Sequence, residues 1–164
     1  TAPADIEIGE MSLTLDSAGA VYLCFGAYNP ADDLNPIYYT LHVFTNAGGS
    51  WRELESIAGD DDAGPMASTP IAIDVAPDRY GNDHLHMAYT LYTTPYDFSI
   101  WYTYYEEGGW HVPQKIDTVN TNVLFPFIAV DPSGMVHITY SWWKTEFVRI
   151  MLYVRGTPAE PQNP

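Results

Sequence analysis

The sequence is nearly devoid of cysteine, since Cys24 is its single thiol. One thiol cannot form a disulfide within the chain, so oxidative cross-links do not hold this fold together. Cys24 stands in the apolar run 21–25, which predicts a buried, unreactive thiol rather than a nucleophile. Long hydrophobic runs are missing as well, and no stretch is long and apolar enough to span a membrane.

Basic residues are scarce. Six lysines and arginines stand against 21 aspartates and glutamates, which gives a formal net charge of -15. A surface of this charge repels nucleic acid and anionic membranes, so neither is expected as a partner. The acidic excess is expected to keep the protein in solution or to attract cations.

Helical periodicity is also absent, whereas aromatic and apolar residues are plentiful. Hydrophobic residues make up 46% of the 164 positions and aromatic residues 15%, enough for one folded domain with a core. Aromatic rings suit the half-buried surface of a sheet, so an all-β protein is predicted. The chain begins at Thr1 rather than Met, and we expect a removed leader or a longer parent protein, with a secreted or periplasmic location favoured.

One sequence unit occurs three times. Each copy has an apolar strand, a turn and a second apolar strand, at residues 12–25, 70–89 and 127–140. The first strand of each copy is expected to end on an aspartate, and these are Asp16, Asp74 and Asp131. In the first and third copies a D-x-x-G turn follows, and in the second copy residues 77–83 form a longer turn. This alignment makes His86 and His137 repeat mates, with Tyr22 in the first copy, and leaves His84 without a mate.

A long loop, a third strand, a Gly-Gly hairpin and a fourth strand complete the unit. Four antiparallel strands in a repeat of this length are typical of a β-propeller blade. We therefore predict an all-β propeller with about three blades, at residues 11–59, 69–118 and 125–156, followed by a flexible tail at 157–164. A β-sandwich explains the short strands but not the regular repeat.

The third copy ends without its fourth strand. The short alternating segment 4–9 is expected to supply that strand. Closed propellers have about four to eight blades, so three blades leave two apolar outer faces exposed. A two-fold homodimer that completes a six-bladed ring is therefore predicted, and the alternative is a fragment of a longer propeller.

Residues 128–140 (IAVDPSGMVHITY) and 101–110 (WYTYYEEGGW) resemble repeats of the sialidase-like, or BNR-like, propeller superfamily. The resemblance is at the level of the blade and implies a propeller of the kind found in sialidases, other glycoside-active proteins and lectins. The contiguous Asp-box of sialidases (S-x-D-x-G-x-x-W) is absent, and their arginine triad has no obvious counterpart among Arg52, Arg79, Arg149 and Arg155. The resemblance therefore implies the fold and not sialidase activity.

The loops that follow the second and fourth strands of each unit emerge on one face of a propeller, where binding sites usually lie. Aromatic rings next to carboxylates and amides suit sugars, because apolar sugar faces stack on rings while hydroxyl groups need fixed hydrogen-bond partners. The alternative is that these are solvated loops whose rings pack on neighbouring blades. The candidate ligand-binding residues are Tyr28, Asp32, Asp33, Tyr92, Tyr96, Asp97, Trp142, Trp143 and Glu146.

The sequence also bears on three further chemistries. Asp33, Asp97 and Glu146 occupy corresponding loops, and glycoside hydrolysis would require two of them to face each other. His84 and His86 share one face of a strand, but a zinc site needs three or four converging ligands, so no metal site is predicted there. Asp60, Asp61 and Asp62 are weak candidates for calcium ligands, and otherwise no cofactor is expected.

Three functions remain open from the sequence. The first is a non-enzymatic binding module, with a glycan as the ligand and a second copy as the partner. The second is a glycoside-active enzyme whose site forms in the assembled ring. The third is a structural or protein-interaction propeller. Two facing carboxylates in a deep pocket favour the enzyme, and a shallow aromatic groove favours the binding module.

Overall fold

The computed structural model describes residues 7–28, 39–54, 57, 71–78, 80–94, 97–106, 108–117, 122–145 and 148–157. Throughout these ranges the regular structure is β, arranged as three antiparallel sheets. This confirms the all-β prediction for the described residues. None of those residues belongs to a helix long and apolar enough to cross a bilayer.

The three sheets follow one another along the chain. The first has the order β1 (Glu7–Leu15), β2 (Val21–Tyr28), β3 (Tyr39–Thr45) and β4 (Arg52–Glu53). The second contains β5 (Ile71–Pro77), β6 (Asp83–Thr94), β7 (Asp97–Glu106), β8 (Gly109–Trp110) and β9 (Gln114–Lys115), with β8 and β9 both paired to β7. The third has the order β10 (Val123–Val130), β11 (Val136–Thr145) and β12 (Val148–Gly156).

An identical turn joins the first two strands of every sheet. Its aspartate accepts backbone N–H groups from the second and fourth residues that follow, as Asp131 does from Ser133 at 2.8 Å and Met135 at 3.1 Å. The turn glycine has positive φ, 79° at Gly134, which a residue without a Cβ adopts most easily. The aspartates of the three turns are Asp16, Asp78 and Asp131.

The sequence alignment of the second copy was therefore wrong by four residues. Strand β5 continues past Asp74 to Pro77, and the turn aspartate is Asp78. The second residue of the strand that follows each turn is then His84 in β6 and His137 in β11. His84, rather than His86, is thus the repeat mate of His137.

Asp74 connects the three sheets instead of capping a turn. Its Oδ2 accepts the backbone N–H of Val130 at 2.7 Å, and its Oδ1 accepts the Thr14 hydroxyl at 3.4 Å. Next to it, Ser12 Oγ accepts the backbone N–H of Ile73 at 3.1 Å. The first strands β1, β5 and β10 therefore lie side by side, with the middle sheet bonded to both neighbours.

The second sheet is covered on both faces. Towards the first sheet, Met87 packs with Cys24 and Val43, and all three are fully buried. Towards the third sheet, Ile100 packs with Val123. Burial raises the pKa of the Cys24 thiol to about 12, and its Sγ lies 3.7 Å from Met87 Sδ. The thiol is therefore buried, as predicted.

The first and third sheets each have a free face, which points away from the second sheet. Exposed apolar side chains line both faces. On the first sheet they are Ile8, Met11, Leu13 and Leu15, which are 55% to 65% exposed. On the third sheet they are Phe127, Met151 and Tyr153, which are 57% to 69% exposed.

The ends of the sheets differ from the expectation for segment 4–9. Glu7 and Ile8 pair with Tyr28 and Ala27, so this part of the segment extends the first sheet. Residues 4–6 lie outside the described residues. Among the described residues, β12 is the edge strand of the third sheet and no fourth strand pairs with it.

Candidate functional site

The three sheets point in the same direction. Ser17, in the first turn, donates its hydroxyl to Asp83 Oδ2 at 2.6 Å, just after the second turn. The turns therefore lie together at one end, which we call the turn end. The connections β2–β3, β6–β7 and β11–β12 leave from the opposite end, which we call the loop end.

Trp142 and Trp143 occupy the loop end of β11 and point to opposite faces of the third sheet. Trp142 packs against the core between the second and third sheets. Trp143 pairs with Arg149 across β11 and β12, lies on the free face and is 38% exposed. The sequence prediction therefore placed both rings at the loop end, and the structure leaves one of them, Trp143, open to a ligand.

Cationic side chains lie over both indole rings. The guanidinium of Arg149 is 4.4 Å from the ring centroid of Trp143, and the ammonium of Lys144 is 5.6 Å from that of Trp142. Such cation–π contacts keep the ring and the cation together at a solvent-exposed position. The guanidinium of Arg149 therefore lies over the Trp143 ring and places hydrogen-bond donors next to it.

The third sheet differs from the rest of the chain in charge. Positions 122–157 contain three basic and two acidic residues, whereas positions 1–54 contain one basic and seven acidic residues. Within the described part of the third sheet, the carboxylate is Asp131, which lies at the turn end. The described loop end of this sheet is therefore rich in donors and poor in acceptors.

The remaining predicted ligand residues are placed in part. The backbones of Tyr28, Tyr92 and Asp97 lie at the loop ends of β2, β6 and β7. The other four, Asp32, Asp33, Tyr96 and Glu146, lie outside the described residues. The facing carboxylates that hydrolysis requires, from Asp33, Asp97 and Glu146, therefore stay a prediction.

The histidines make pairwise contacts at the turn end. His84 Nε2 is 3.3 Å from Asp78 Oδ2, and His137 Nε2 is 3.3 Å from Asp131 Oδ2, as the corrected alignment implies. Among the described residues, no three ligating side chains converge on a metal site. The calcium candidates Asp60, Asp61 and Asp62 lie outside those residues.

His86 is buried, in contrast to the other histidines. Its Nδ1 lies 2.8 Å from the Tyr102 hydroxyl, and its ring stacks on Tyr102 and Tyr104. Burial, with a smaller contribution from His84, lowers the pKa of His86 to about 4. A neutral imidazole in this position fits a packing role.

A groove of about 170 Å³ between the second and third sheets was not predicted. Its wall is mixed, with an apolar part made of Ile116, Val136, Ile138 and Val154 and a polar part made of Tyr102, Gln114, Lys115, Arg155 and Thr157. The Tyr102 hydroxyl is already bonded to His86. The groove is smaller than the roughly 300–1,000 Å³ of typical ligand pockets.

No protein-family model matches the sequence, and no curated protein matches it. Solved structures do. An α-L-arabinofuranosidase from Fusarium graminearum, in complex with an iminosugar inhibitor, is 12% identical with a TM-score of 0.66, over 94% of this chain and 47% of that one. The chain thus spans about half the length of that structure.

Two other similar structures also concern carbohydrates. A fucose lectin from Kordia zhangzhouensis in complex with methyl-fucoside is 11% identical with a TM-score of 0.55, over 92% of this chain and 100% of that one. The intramolecular trans-sialidase from Ruminococcus gnavus is 13% identical with a TM-score of 0.54, over 91% of this chain and 32% of that one. All of these proteins are β-propellers. At this level of identity the likeness establishes one thing, that the chain has the β-propeller fold.

Proposed function

We propose that the chain is a non-enzymatic carbohydrate-binding module that acts as a six-bladed ring of two copies. The observation that carries the binding function is the exposed ring of Trp143 with Arg149 across it at the loop end. Indole faces stack on the apolar faces of sugars, and a guanidinium donates to sugar hydroxyls. The similar structures, two glycoside-active enzymes and a fucose lectin, support a role in carbohydrate chemistry.

The two free faces support the ring. Each is a sheet surface with exposed apolar side chains at alternate positions, as the faces between blades have. Joining the first sheet of one copy to the third sheet of the other buries both, and two-fold symmetry repeats the contact and closes the ring. The acidic first sheet and the more basic third sheet are complementary in charge. This favours contact between a first and a third sheet over contact between two first sheets or two third sheets.

The size of the chain fits the same arrangement. Three sheets cover 47% of the arabinofuranosidase, so that chain has room for about six sheets of this kind, within the usual range of blade number. Two copies of the present chain would supply as many. In this assembly the loop ends of all blades would form one continuous surface, on which we place the predicted ligand residues.

A glycan array, followed by calorimetry on the best ligand, tests the binding function. We expect Trp143→Ala to weaken binding at least about tenfold, which corresponds to roughly 1.4 kcal/mol. The matched control is Trp51→Ala, because Trp51 is 56% exposed and follows the turn-end connection after β3. Equal affinity of the two variants would contradict the role of Trp143, and release of free sugar from the bound glycan would favour an enzyme.

Light scattering coupled to size exclusion tests the ring. We expect a mass near twice 18.4 kDa for the wild type and a single-copy mass for Met151→Glu, which places a charge on the free face of the third sheet. Val112→Glu is the control, since Val112 is 84% exposed and lies between β8 and β9. A wild-type chain that stays a single copy at all concentrations would contradict the ring.

A further inference from the structure

We infer that the groove between the second and third sheets binds a small planar aromatic molecule of the phenol type. The groove lies between β9 of the second sheet and β12 of the third. Trp143 and Arg149, on which the proposed glycan binding depends, are not among the described residues that line it. The inference therefore stands independently of that function.

The side chains that enter the groove come from both sheets. Ile138 and Val154 line it and face the second sheet, since both belong to the core cluster between the two sheets. Tyr102 belongs to the same cluster, and Gln114, which pairs with it across β7 and β9, shares its face. The third sheet thus supplies an apolar wall, and the second sheet supplies a phenol ring and an amide.

The two basic residues that line the groove point their side chains away from it. Residues that pair across neighbouring strands share a face of the sheet, and successive residues alternate between faces. Lys115 pairs with Trp101, which packs on the core towards the first sheet. Arg155 pairs with His137, which precedes the inward-facing Ile138 and so lies on the free face of the third sheet. A neutral ligand is therefore favoured over an anion.

The preceding interface, between the first and second sheets, shows what fills the corresponding space. Counted from their turn aspartates, Leu85 and Ile138 hold the same position, and their partners on the next strand are Tyr105 and Val154. The Tyr105 ring packs against the core between the first two sheets, edge-on to Trp110 with 5.2 Å between ring centroids. Valine at this position of the third sheet has no phenol ring, which accounts for the space in the groove.

The size of the groove fits one aromatic ring. Its volume is about 170 Å³, and a cavity of about 150 Å³ with apolar walls is enough to bind benzene. A flat ring would pack between Ile138 and Val154 on one wall and Tyr102 on the other. The Gln114 amide offers a donor and an acceptor to a hydroxyl group on that ring. A phenol, the group that Tyr105 places in the preceding interface, is therefore the expected ligand.

Titration with p-cresol, the side-chain analogue of tyrosine, tests the groove. Amide NMR spectra of the wild type should show saturable shifts at Gln114, Ile138 and Val154. Toluene, which has no hydroxyl group, should bind at least about threefold more weakly. Val154→Tyr returns the phenol ring to its repeat position and should weaken p-cresol binding at least about tenfold. Val112→Tyr is the control, since Val112 is 84% exposed and lies outside the groove, and it should bind as the wild type does.

A second filling variant keeps the test independent of how well Val154→Tyr folds. Gly156 lines the groove and pairs with Val136, so it lies on the face towards the second sheet, where a Cβ would meet open space. Gly156→Leu should therefore also weaken p-cresol binding at least about tenfold. Absence of saturable shifts in the wild type, or wild-type affinity in either folded filling variant, would overturn the inference. Neither result bears on glycan binding at Trp143.

Discussion

The middle sheet and the two outer sheets are built from the same unit but differ in burial. In β6 the run 85–91 is buried without interruption, because the second sheet has a neighbour on each side. In β1 and β12, exposed and half-buried residues alternate, because each of these strands has one covered and one free face. The exposed positions of the outer strands are nevertheless apolar, as in Met11 and Met151.

This difference shows that a blade of this chain does not bury its own apolar surface. Each sheet is two-sided, and its stability depends on the neighbour that covers each side. The middle sheet has a neighbour on both sides, whereas each outer sheet has one. A second copy would therefore stabilise the molecule most at the free faces of the outer sheets.

The strongest test compares the same substitution on a covered and a free face. Met87→Ala removes a fully buried side chain of the middle sheet and should lower the free energy of unfolding by about 2–5 kcal/mol. Met151→Ala, 69% exposed on the third sheet, should change it by about 0.5 kcal/mol or less in dilute protein. Urea unfolding measures both. Similar losses in the two variants would show that the free face is covered even in a single copy.

The buried histidine of the middle sheet predicts a dependence on pH. Because burial lowers the pKa of His86 to about 4, the folded state resists a proton that the unfolded state accepts below about pH 6.5. Stability should therefore fall between pH 6.5 and pH 4, by on the order of 3 kcal/mol. His86→Phe keeps an aromatic ring and should remove this fall, as measured by urea unfolding at a series of pH values.

The acid limb below pH 4 provides the internal control for His86→Phe. Burial raises the pKa of Asp78, but hydrogen bonds from Asn82, Tyr80 and His84 outweigh that effect and lower it to about 2. The carboxylate therefore contributes stability that is lost as the pH falls below about 3.8 towards 2, in wild type and variant alike. If the variant kept the wild-type slope between pH 6.5 and pH 4, the histidine would not be its source.

The bonds between sheets should matter less than the core. Asp74→Ala leaves the half-buried N–H of Val130 without its acceptor and should cost about 1–3 kcal/mol of unfolding free energy. Thr14→Val removes the longer bond to the same carboxylate and should cost under about 1 kcal/mol. Faster hydrogen exchange at the Val130 amide would assign the loss to this contact, and unchanged exchange would argue against it.

The smallest expected effect concerns the turns, which are alike in covered and outer sheets. Gly134→Ala forces a Cβ into a positive-φ position and should cost about 1 kcal/mol, as should Gly19→Ala in the first sheet. Gly156→Ala, in extended backbone with open space around it, should be neutral or slightly stabilising. Thermal unfolding compares the three variants. A large difference between the two turn glycines would show that the turns are not equivalent in energy.

The strands were predictable because local signals define them. Alternating apolar residues and Gly-Gly hairpins are visible without any long-range information. The error at Asp74 arose because the nearly equal spacing of 58 and 57 residues outweighed a local signal. The D-x-x-G pattern occurs at Asp78 with Gly81, and following it would have identified the turn and made His84 the mate of His137.

The candidate site was less predictable, since its geometry depends on how strands pair and how sheets pack. The sequence places Trp142 and Trp143 at a loop end, but the register of β11 and β12 decides which of them is free. The groove between sheets brings Tyr102 close to Val136, and no local pattern links residues so far apart in the chain.

The edge strand β12 affects how prone the chain is to aggregate in concentrated solution. The fourth strands of the other sheets are two-residue pieces, whereas β12 offers nine residues of backbone with no described strand beyond it. Long open edges recruit strands from other molecules and so promote aggregation. Arg149 and Arg155, near the two ends of β12, put like charges on any two such edges that approach each other. We therefore expect these two arginines to oppose such contacts, so that neutralising them should shorten the time for which a concentrated solution stays clear.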